Sequence, residues 1–298
     1  MAGRGISVNA RRIYSPVFLI PAIVLYTVFF IVPVISGIVF SLTDWNSLRP
    51  HIRFIGLANY GRILKSSGGP YLMSLFNTLA FTVGTVLLKT LVGLALAIAL
   101  NEGFRTSKVL RALFFSTYTL SALIVGIVFV SILSGHGLLN YLLEHLGLKV
   151  LARSWLSNPH TALASTMVVE VWRMAGWNMM IFLAGLQMIP KDFYEAADMD
   201  GAGPLFKFLR ITIPFLVPSI TVAVVLNTIH GLKVFDMIYA LTGGGPGSLT
   251  EVINTQVFKE FGDGRYGMSN ALGVMVFLLT ALVAIYMKRL LSRGEIEA

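Results

Sequence analysis

Long uncharged stretches dominate the pattern of hydrophobic and polar positions along this chain. Residues 13–43, 112–143, 211–232 and 266–287 contain no Asp, Glu, Lys or Arg. A helix that crosses a bilayer needs about 20 apolar residues, and each charge buried there is costly. The pattern predicts an all-α, polytopic membrane protein that forms one transmembrane domain over residues 1–298. We expect six transmembrane helices, at about residues 17–40, 74–100, 112–133, 162–187, 211–232 and 267–288.

The first apolar run differs from a cleaved signal peptide in two respects. It is much longer than a typical signal-peptide core, and no small-residue cleavage site follows before Thr43. We therefore interpret this run as a retained transmembrane helix.

Composition narrows the class of protein further. Of 298 residues, 56% are hydrophobic and only 12% are charged, about half the charged share of a soluble domain. This excludes most cytosolic enzymes. The absence of Cys rules out disulfides, thiolate metal sites and thiol nucleophiles. The net charge of +9 does not indicate nucleic-acid binding here, because its distribution follows the predicted membrane topology.

Short loops rich in Lys and Arg tend to remain in the cytoplasm. If the N-terminus lies inside, the inner segments hold twelve such residues: Arg4, Arg11, Arg12, Arg105, Lys108, Arg111, Lys191, Lys207, Arg210, Lys288, Arg289 and Arg293. The longer outer loops, at 41–73, 134–160 and 233–267, hold only nine. The bias places both termini, and the loop 188–210, in the cytoplasm.

The loop 188–210 is the most informative segment of the sequence. Asp192 followed by Glu195 is the spacing of a capping box, which predicts a short helix that Gly201 ends in a left-handed conformation. Pro204 is suited to the first position of a second short helix, expected to end near Pro214. A first helix of about nine residues is too short to be stable alone. We therefore expect it to dock on a partner.

The charge of this short helix indicates what kind of partner it meets. Four acidic residues outnumber one lysine, Lys191, whereas helices that lie on anionic lipid are rich in basic residues. A protein surface is therefore the better interpretation than lipid headgroups. Helical spacing gives two candidate docking faces: Phe193, Ala196, Ala197 and Asp200, or Tyr194, Ala197 and Gly201.

The same loop carries a family resemblance. Glu195-Ala196-Ala197, then Gly201, then Ile211-Thr212-Ile213-Pro214 resembles the EAA motif of permease subunits of bacterial ABC importers, with Ile213 in place of the usual Leu. Four further segments resemble the carbohydrate branch, in particular the maltose-type first permease subunit: Leu42–Trp45, Phe54–Tyr60, Ile189-Pro190 and Leu241–Pro246. The resemblance covers about residues 15–290.

The resemblance implies a role for the loop and a set of partners. The coupling helix would contact a cytoplasmic ATPase through Tyr194, Glu195, Ala196, Ala197, Asp200, Gly201 and Pro204. The implied partners are a second homologous permease in a heterodimer, two ATP-binding subunits, an extracytoplasmic solute-binding protein at the outer loops, and the lipid bilayer. The sequence has no P-loop, so we expect no cofactor and no catalytic site on this chain, with ATP and Mg on the ATPase subunits.

Polar residues inside the predicted spans are candidates for a substrate pathway, because such groups usually face the bundle interior or an aqueous cavity. The candidates are Glu170, Arg173, Trp177 and Asn178 on the fourth span and Asn227, His230 and Gly231 on the fifth, with Asp236 further along the same polar stripe. Structural interpretations stay open for these residues. Glu170 and Arg173 can form a packing ion pair, Asn227 an interhelical hydrogen bond, and Lys89 a contact with Glu170.

The most concrete functional prediction is import of a sugar or oligosaccharide across a bacterial or archaeal cytoplasmic membrane. An importer for glycerol phosphate or another polyol-like solute is the alternative, favoured if Lys89 or Arg173 faces the cavity. A secondary transporter would require coupling-ion carboxylates, for which Glu170 alone is weak support. An intramembrane hydrolase would require a Ser–His pair, and Ser219 is three helical turns from His230.

Overall fold

The computed structural model describes residues 16–49, 51–65, 69–101 and 106–291. Five of the predicted cytoplasmic basic residues, Arg4, Arg11, Arg12, Arg105 and Arg293, lie outside the described residues. Within the described part the chain is mostly helical, and its β-structure is one isolated bridge between Thr43 and Phe54. We number twelve helices in chain order: α1 Val17–Ser41, α2 Ala58–Lys65, α3 Pro70–Asn101, α4 Ser107–Thr119, α5 Ala122–Leu133, α6 Leu138–His145, α7 Ala162–Gln187, α8 Asp192–Met199, α9 Pro204–Leu232, α10 Asp236–Thr242, α11 Ile253–Gly262 and α12 Tyr266–Leu291.

Five segments of the described chain are long and apolar enough to cross a membrane. They are Val17–Ser41, Pro70–Asn101, Ala122–His145, Pro204–Leu232 and Tyr266–Met287. Helix α7 has 26 residues, but it carries Glu170 and Arg173 and is not one of the five. The fold is therefore a polytopic helical bundle, and the count of six spans stays a prediction.

The third predicted span, 112–133, is wrong as a single helix. Helix α4 ends at Thr119 and α5 begins at Ala122, because Leu120 and Ser121 adopt extended backbone angles. The hydroxyl of Thr119 donates to the carbonyl of Ser116, a local bond of the kind that competes with helix continuation. The two halves then pack on different partners, α4 on α7 and α5 on α10. An uncharged run cannot reveal such a break.

The predicted boundary near Pro214 is also wrong. The helix that begins at Pro204 continues without interruption to Leu232, and it includes a π-helical turn at Phe208–Thr212. Proline has no N–H to donate four residues back, and a π-turn changes the local hydrogen-bonding pattern just before it. Residues 204–210 of the predicted inner loop and the fifth span are thus parts of one helix, α9.

Helix α7 lies at the centre of the bundle and packs against α3, α4 and α9. Two apolar clusters surround it at different levels. One includes Phe81 of α3 and Val169 of α7, and the other includes Ala97 of α3 and Phe182 of α7. The residues between these positions on α3 and α7 include most of the polar groups predicted for the pathway.

Candidate functional site

Glu170 is the centre of a buried charged cluster between the two apolar clusters. Its Oε1 accepts a hydrogen bond from Nζ of Lys89 at 3.0 Å and lies 2.9 Å from Nε2 of His230. Its Oε2 accepts from Nη2 of Arg173 at 3.2 Å. The side chains of Lys89 and Glu170 are both 0% exposed. Both ion pairs suggested by the sequence, Lys89–Glu170 and Glu170–Arg173, are confirmed as contacts.

A second buried polar contact joins α7 to α9. Nδ2 of Asn227 donates to Oδ1 of Asn178 at 2.6 Å, and Nδ2 of Asn178 donates to the carbonyl of Met174 at 3.1 Å. Neither asparagine is exposed. The interhelical hydrogen bond considered for Asn227 is therefore present, and it fixes the amide orientations of both residues.

Members of the charged cluster and of the asparagine pair line a cavity of 500 Å³. The residues that line it are Tyr118, Leu120, Ser121, Ala122, Arg173, Met174, Trp177, Leu226, Asn227, His230 and Asp236. Four of the seven predicted pathway residues, Arg173, Trp177, Asn227 and His230, thus meet at a single cavity. Glu170 and Asn178 lie behind them and hold them in place.

Gly231 does not line this cavity. A Cβ atom there would lie 2.9 Å from the Cα of Thr82 on α3, which is closer than packed side chains allow. Glycine is needed at this position because α9 and α3 approach each other closely. The close approach is thus between two helices, and it gives Gly231 a packing role.

The break between α4 and α5 supplies lining residues that the sequence analysis missed. Tyr118 precedes the break and Ser121 lies within it, and the ring of Tyr118 is 6.1 Å from that of Trp177 between centroids. Their stretch has no charge and was assigned to an unbroken span. The run Ser116–Ser121 contains four hydroxyl-bearing residues besides Tyr118 and Leu120, which is the one signal that could have indicated the break.

Helix α8 stands at the other end of α9 and is mostly exposed. It begins at Asp192 without a side-chain cap, so the predicted capping box is wrong and Asp192 is the first helical residue. Gly201 has φ of +72°, which confirms the left-handed end. Pro204 occupies the first turn of α9 as predicted.

Two aromatic residues of α8 anchor it to α9. The hydroxyls of Tyr194 and Thr212 are 2.9 Å apart, and the rings of Phe193 and Phe215 are 4.8 Å apart between centroids. Glu195, Ala196 and Asp200 remain exposed. Beside them lies a surface concavity of 370 Å³, lined by Ala197, Asp200, Ala202, Gly203 and Phe206. Of the predicted docking residues, Tyr194 thus attaches α8 to α9. Glu195, Ala196 and Asp200 are exposed to solvent.

The hydrolase alternative finds no support in this geometry. Ser219 lies against Gly185 of α7, whereas Nε2 of His230 lies against the carboxylate of Glu170. About 16 Å of helix separates Ser219 from His230. A nucleophilic serine needs a base within hydrogen-bond reach.

A bundle of apolar helices around a polar cavity, with an exposed acidic helix on the end of a cavity-lining helix, defines the class of membrane transport permeases. The family model described as "Binding-protein-dependent transport system inner membrane component" matches residues 89–294. The chain belongs to this family.

Comparison with individual proteins agrees with this assignment. The chain is 36% identical to the trehalose/maltose transport system permease protein MalF of Thermococcus litoralis, over 91% of each chain. It is 32% identical to the multiple sugar-binding transport system permease protein MsmF of Streptococcus mutans, over 94% of this chain and 95% of that one. The fold is similar to a chain in the crystal structure of a bacterial alginate ABC transporter in complex with alginate pentasaccharide-bound periplasmic protein, with a TM-score of 0.81, 24% identity and 93% of each chain covered. The expected resemblance to sugar ABC-importer permeases and the all-α membrane fold are thereby confirmed.

Proposed function

We propose that this permease moves a sugar or oligosaccharide through the cavity between α4, α7 and α9. The observation that carries the proposal is the composition of the cavity wall, where the rings of Tyr118 and Trp177 stand beside the polar groups of Asn227 and His230. Small-molecule sites combine apolar and aromatic surface with a few placed polar groups. The substrates in the names of MalF and MsmF, trehalose or maltose and multiple sugars, support the same substrate class.

We propose further that α8 couples this cavity to ATP hydrolysis on separate subunits. Its anchors, Tyr194 and Phe193, attach it to α9 near Thr212, and Asn227 of the same helix lines the cavity about 22 Å away. A displacement of α8 would therefore be transmitted along α9 to the cavity wall. The exposed face with Glu195, Ala196, Ala197, Asp200 and Gly201 would contact the ATPase, which would hold ATP and Mg, so that no catalytic site is expected on this chain.

The remaining partners follow from the family. We propose a heterodimer with a second, similar permease, two ATP-binding subunits, and a solute-binding protein on the outer side of the membrane, with both termini in the cytoplasm. The alginate importer, whose structure includes a periplasmic binding protein, supports the last partner. ATP binding can then drive transport because the ATP-bound and ATP-free states favour different arrangements of the helices.

A transport assay on matched tryptophan variants tests the proposed cavity. Trp177 lines the cavity, whereas Trp172, five residues earlier on α7, is 44% exposed and packs on Phe129. In proteoliposomes of the whole importer, we expect Trp177→Ala to lower uptake of maltose, trehalose or maltotriose at least tenfold. Trp172→Ala should retain most of the uptake. Equal uptake by the two variants would contradict a sugar pathway at this cavity.

Coupling is tested separately with two glutamates. Glu195→Gln should abolish uptake and transport-linked ATPase activity in the complex, while Glu144→Gln, the same change at an exposed position of α6, should leave both intact. Both variants should insert normally, because neither side chain has a partner contact to lose within the described chain. Full activity of Glu195→Gln would count against coupling through α8.

Because the sequence has no Cys, single introduced thiols report the sidedness of α8 without background labelling. Met199 of α8 is 88% exposed and Val150 in the loop 134–160 is 92% exposed. In intact cells, a membrane-impermeant maleimide should label Val150→Cys and not Met199→Cys. Inverted vesicles should give the opposite pattern. Labelling of Met199→Cys in intact cells would place α8 outside the cell, where it could not contact a cytoplasmic ATPase.

The glycerol phosphate or polyol alternative remains a second candidate, because Arg173 does line the cavity. Its guanidinium is, however, bound by Glu170, and Lys89 is fully buried behind it. Both cations therefore share the carboxylate of Glu170, and Asp236 adds a second carboxylate to the cavity wall. Competition of sugar uptake by glycerol 3-phosphate would favour this alternative.

A further inference from the structure

The segment between α1 and α3 forms a fixed structure that the transport proposal does not use. Nδ2 of Asn59 donates to the carbonyls of Ser41 at 2.9 Å and Thr43 at 2.8 Å. Oδ1 of Asp44 accepts from the backbone N–H of Arg53 at 2.7 Å. These bonds hold the chain on both sides of the Thr43–Phe54 bridge, so the side chains that project from it are positioned in advance.

Four arginines, Arg49, Arg53, Arg62 and Arg265, line one concavity of 350 Å³ on this segment, together with Trp45. Two of them are paired. Arg49 contacts Asp44 at 3.2 Å, and Arg265 is bound by Glu260 and by Asp263. Within the described chain, Arg53 and Arg62 have no carboxylate within 4.0 Å of their guanidinium groups.

The local charges make the concavity positive. The backbone N–H of Arg53 and the guanidinium of Arg49 hold the pKa of Asp44 below its usual range, so this carboxylate stays ionised. Hydrogen bonds to Glu260 raise the pKa of Arg265. Four guanidiniums and three carboxylates leave an excess of one positive charge, and Arg53 and Arg62 are the two lining arginines without a carboxylate contact. Arginine presents paired N–H groups that match the oxygens of a phosphate.

Aromatic residues give the depth of this concavity relative to the membrane. The rings of Phe40, Trp45, Tyr266 and Phe261 form a chain in which neighbouring centroids are 4.5 Å, 4.9 Å and 5.1 Å apart. This row of aromatic rings lies where α1 ends at Ser41 and α12 begins at Tyr266. Trp and Tyr concentrate at the level of lipid headgroups. Trp45 belongs both to the aromatic chain and to the wall of the concavity.

We propose that the concavity lined by Arg49, Arg53, Arg62 and Arg265 binds the phosphate of an anionic glycerophospholipid at the membrane surface. Arg53 and Arg62 contact the phosphate oxygens, and Trp45 lies beside the glycerol and the start of the acyl chains. A lipid is favoured over a soluble anion because the site stands at headgroup depth beside α1, whose apolar side chains are mostly exposed.

Native mass spectrometry of the full purified chain tests this site. The protein is offered equal amounts of phosphatidylglycerol and phosphatidylcholine with identical acyl chains. We expect the wild type to retain phosphatidylglycerol preferentially. The variant R53Q/R62Q should reduce that preference about tenfold, since each basic residue near a membrane surface contributes a several-fold factor. The control K149Q/R153Q removes two exposed basic residues outside the concavity and should leave the preference unchanged.

Further variants and ligands distinguish lipid binding from binding of a soluble anion and from protein docking. The single variants Arg53→Gln and Arg62→Gln should each lose part of the preference, which keeps the test decisive if the double variant folds poorly. An unchanged preference in R53Q/R62Q, or no preference in the wild type, overturns the proposal. Binding of sn-glycerol 1-phosphate or inorganic phosphate as strong as that of the lipid would assign the site to a soluble anion instead. Loss of binding-protein-stimulated ATPase activity with an unchanged lipid preference would assign it to protein docking.

Discussion

The two ends of helix α9 differ in how they present their functional residues. At one end, the predicted docking residues lie within eleven consecutive positions, 194–204, from α8 to the start of α9, and most of them are exposed. At the other end, the cavity wall combines side chains from α4, α7 and α9, and the groups behind it are fully buried. The face of α8 is formed by neighbouring residues of one short segment. The cavity wall forms only when α4, α7 and α9 pack together.

The difference separates residues for which we propose contact with a partner from residues that hold the helices together. An exposed residue of α8 can change without loss of packing, so a loss of transport in such a variant would point to docking. Glu170 binds both Lys89 and Arg173, so its removal leaves the buried Lys89 without a counter-charge. Substitutions in the buried cluster should therefore lower the free energy of unfolding more than substitutions on α8.

The largest expected effect is at Glu170. The substitution Glu170→Gln leaves the ammonium of Lys89, which is 0% exposed, without a counter-charge. Breaking a buried pair in this way costs about 3–5 kcal/mol. We expect a large loss in the free energy of unfolding of the purified chain, measured by titration with sodium dodecyl sulfate and tryptophan fluorescence.

Two further variants make this prediction specific. The double variant K89M/E170Q removes both buried charges and should recover much of the lost stability, since Arg173 can turn toward the cavity. Glu144→Gln, the same change at an exposed position, should alter stability by less than about 0.5 kcal/mol. A Glu170→Gln protein as stable as the Glu144→Gln protein would remove the distinction between the two regions.

The same distinction explains how much could be predicted from the sequence. The exposed motif around Glu195 and the left-handed Gly201 are local, so residue spacing was sufficient. The Lys89–Glu170 contact could be anticipated because a lysine in mid-span needs a carboxylate and few are present. The break at Leu120–Ser121 and the continuity of α9 through Pro214 depend on tertiary packing and on a π-turn. Tyr118 lines the cavity only because of that break, so charge patterns could not identify it.

The next effect concerns the end of α8. Gly201 has φ of +72° and no atoms near its missing Cβ, so an alanine there meets backbone strain and no clash. We expect Gly201→Ala to cost about 1–2 kcal/mol in the local stability of the α8 segment. Hydrogen exchange over residues 192–203 should report it. Gly203, with φ of −69° and equally open space, is the matched control, and Gly203→Ala should cost less, because Ala lacks only the N-cap preference of Gly there. Equal exchange in both variants would mean that this turn does not define α8.

A smaller effect is expected for the asparagine pair. Asn178 and Asn227 share a buried hydrogen bond of 2.6 Å between α7 and α9. Interhelical hydrogen bonds within membranes contribute about 0.6 kcal/mol on average and up to about 1.7 kcal/mol. The double-mutant cycle of Asn178→Ala and Asn227→Ala should give a coupling energy in this range. A coupling energy of zero would indicate that this hydrogen bond does not stabilise the contact between α7 and α9.

The smallest predicted effect is at the anchor between the two regions. Tyr194→Phe removes the hydroxyl that lies 2.9 Å from the hydroxyl of Thr212 and keeps the ring. We expect a loss of about 0.5–1 kcal/mol, because one neutral hydrogen bond is lost at a partly buried position. The control Tyr141→Phe removes an exposed hydroxyl on α6 and should be neutral. If α8 transmits its displacement through this anchor, Tyr194→Phe should also raise ATPase activity relative to solute uptake in the whole importer. An unchanged ratio of hydrolysis to uptake would mean that the contact of Phe193 with Phe215 is sufficient to join the two ends of α9.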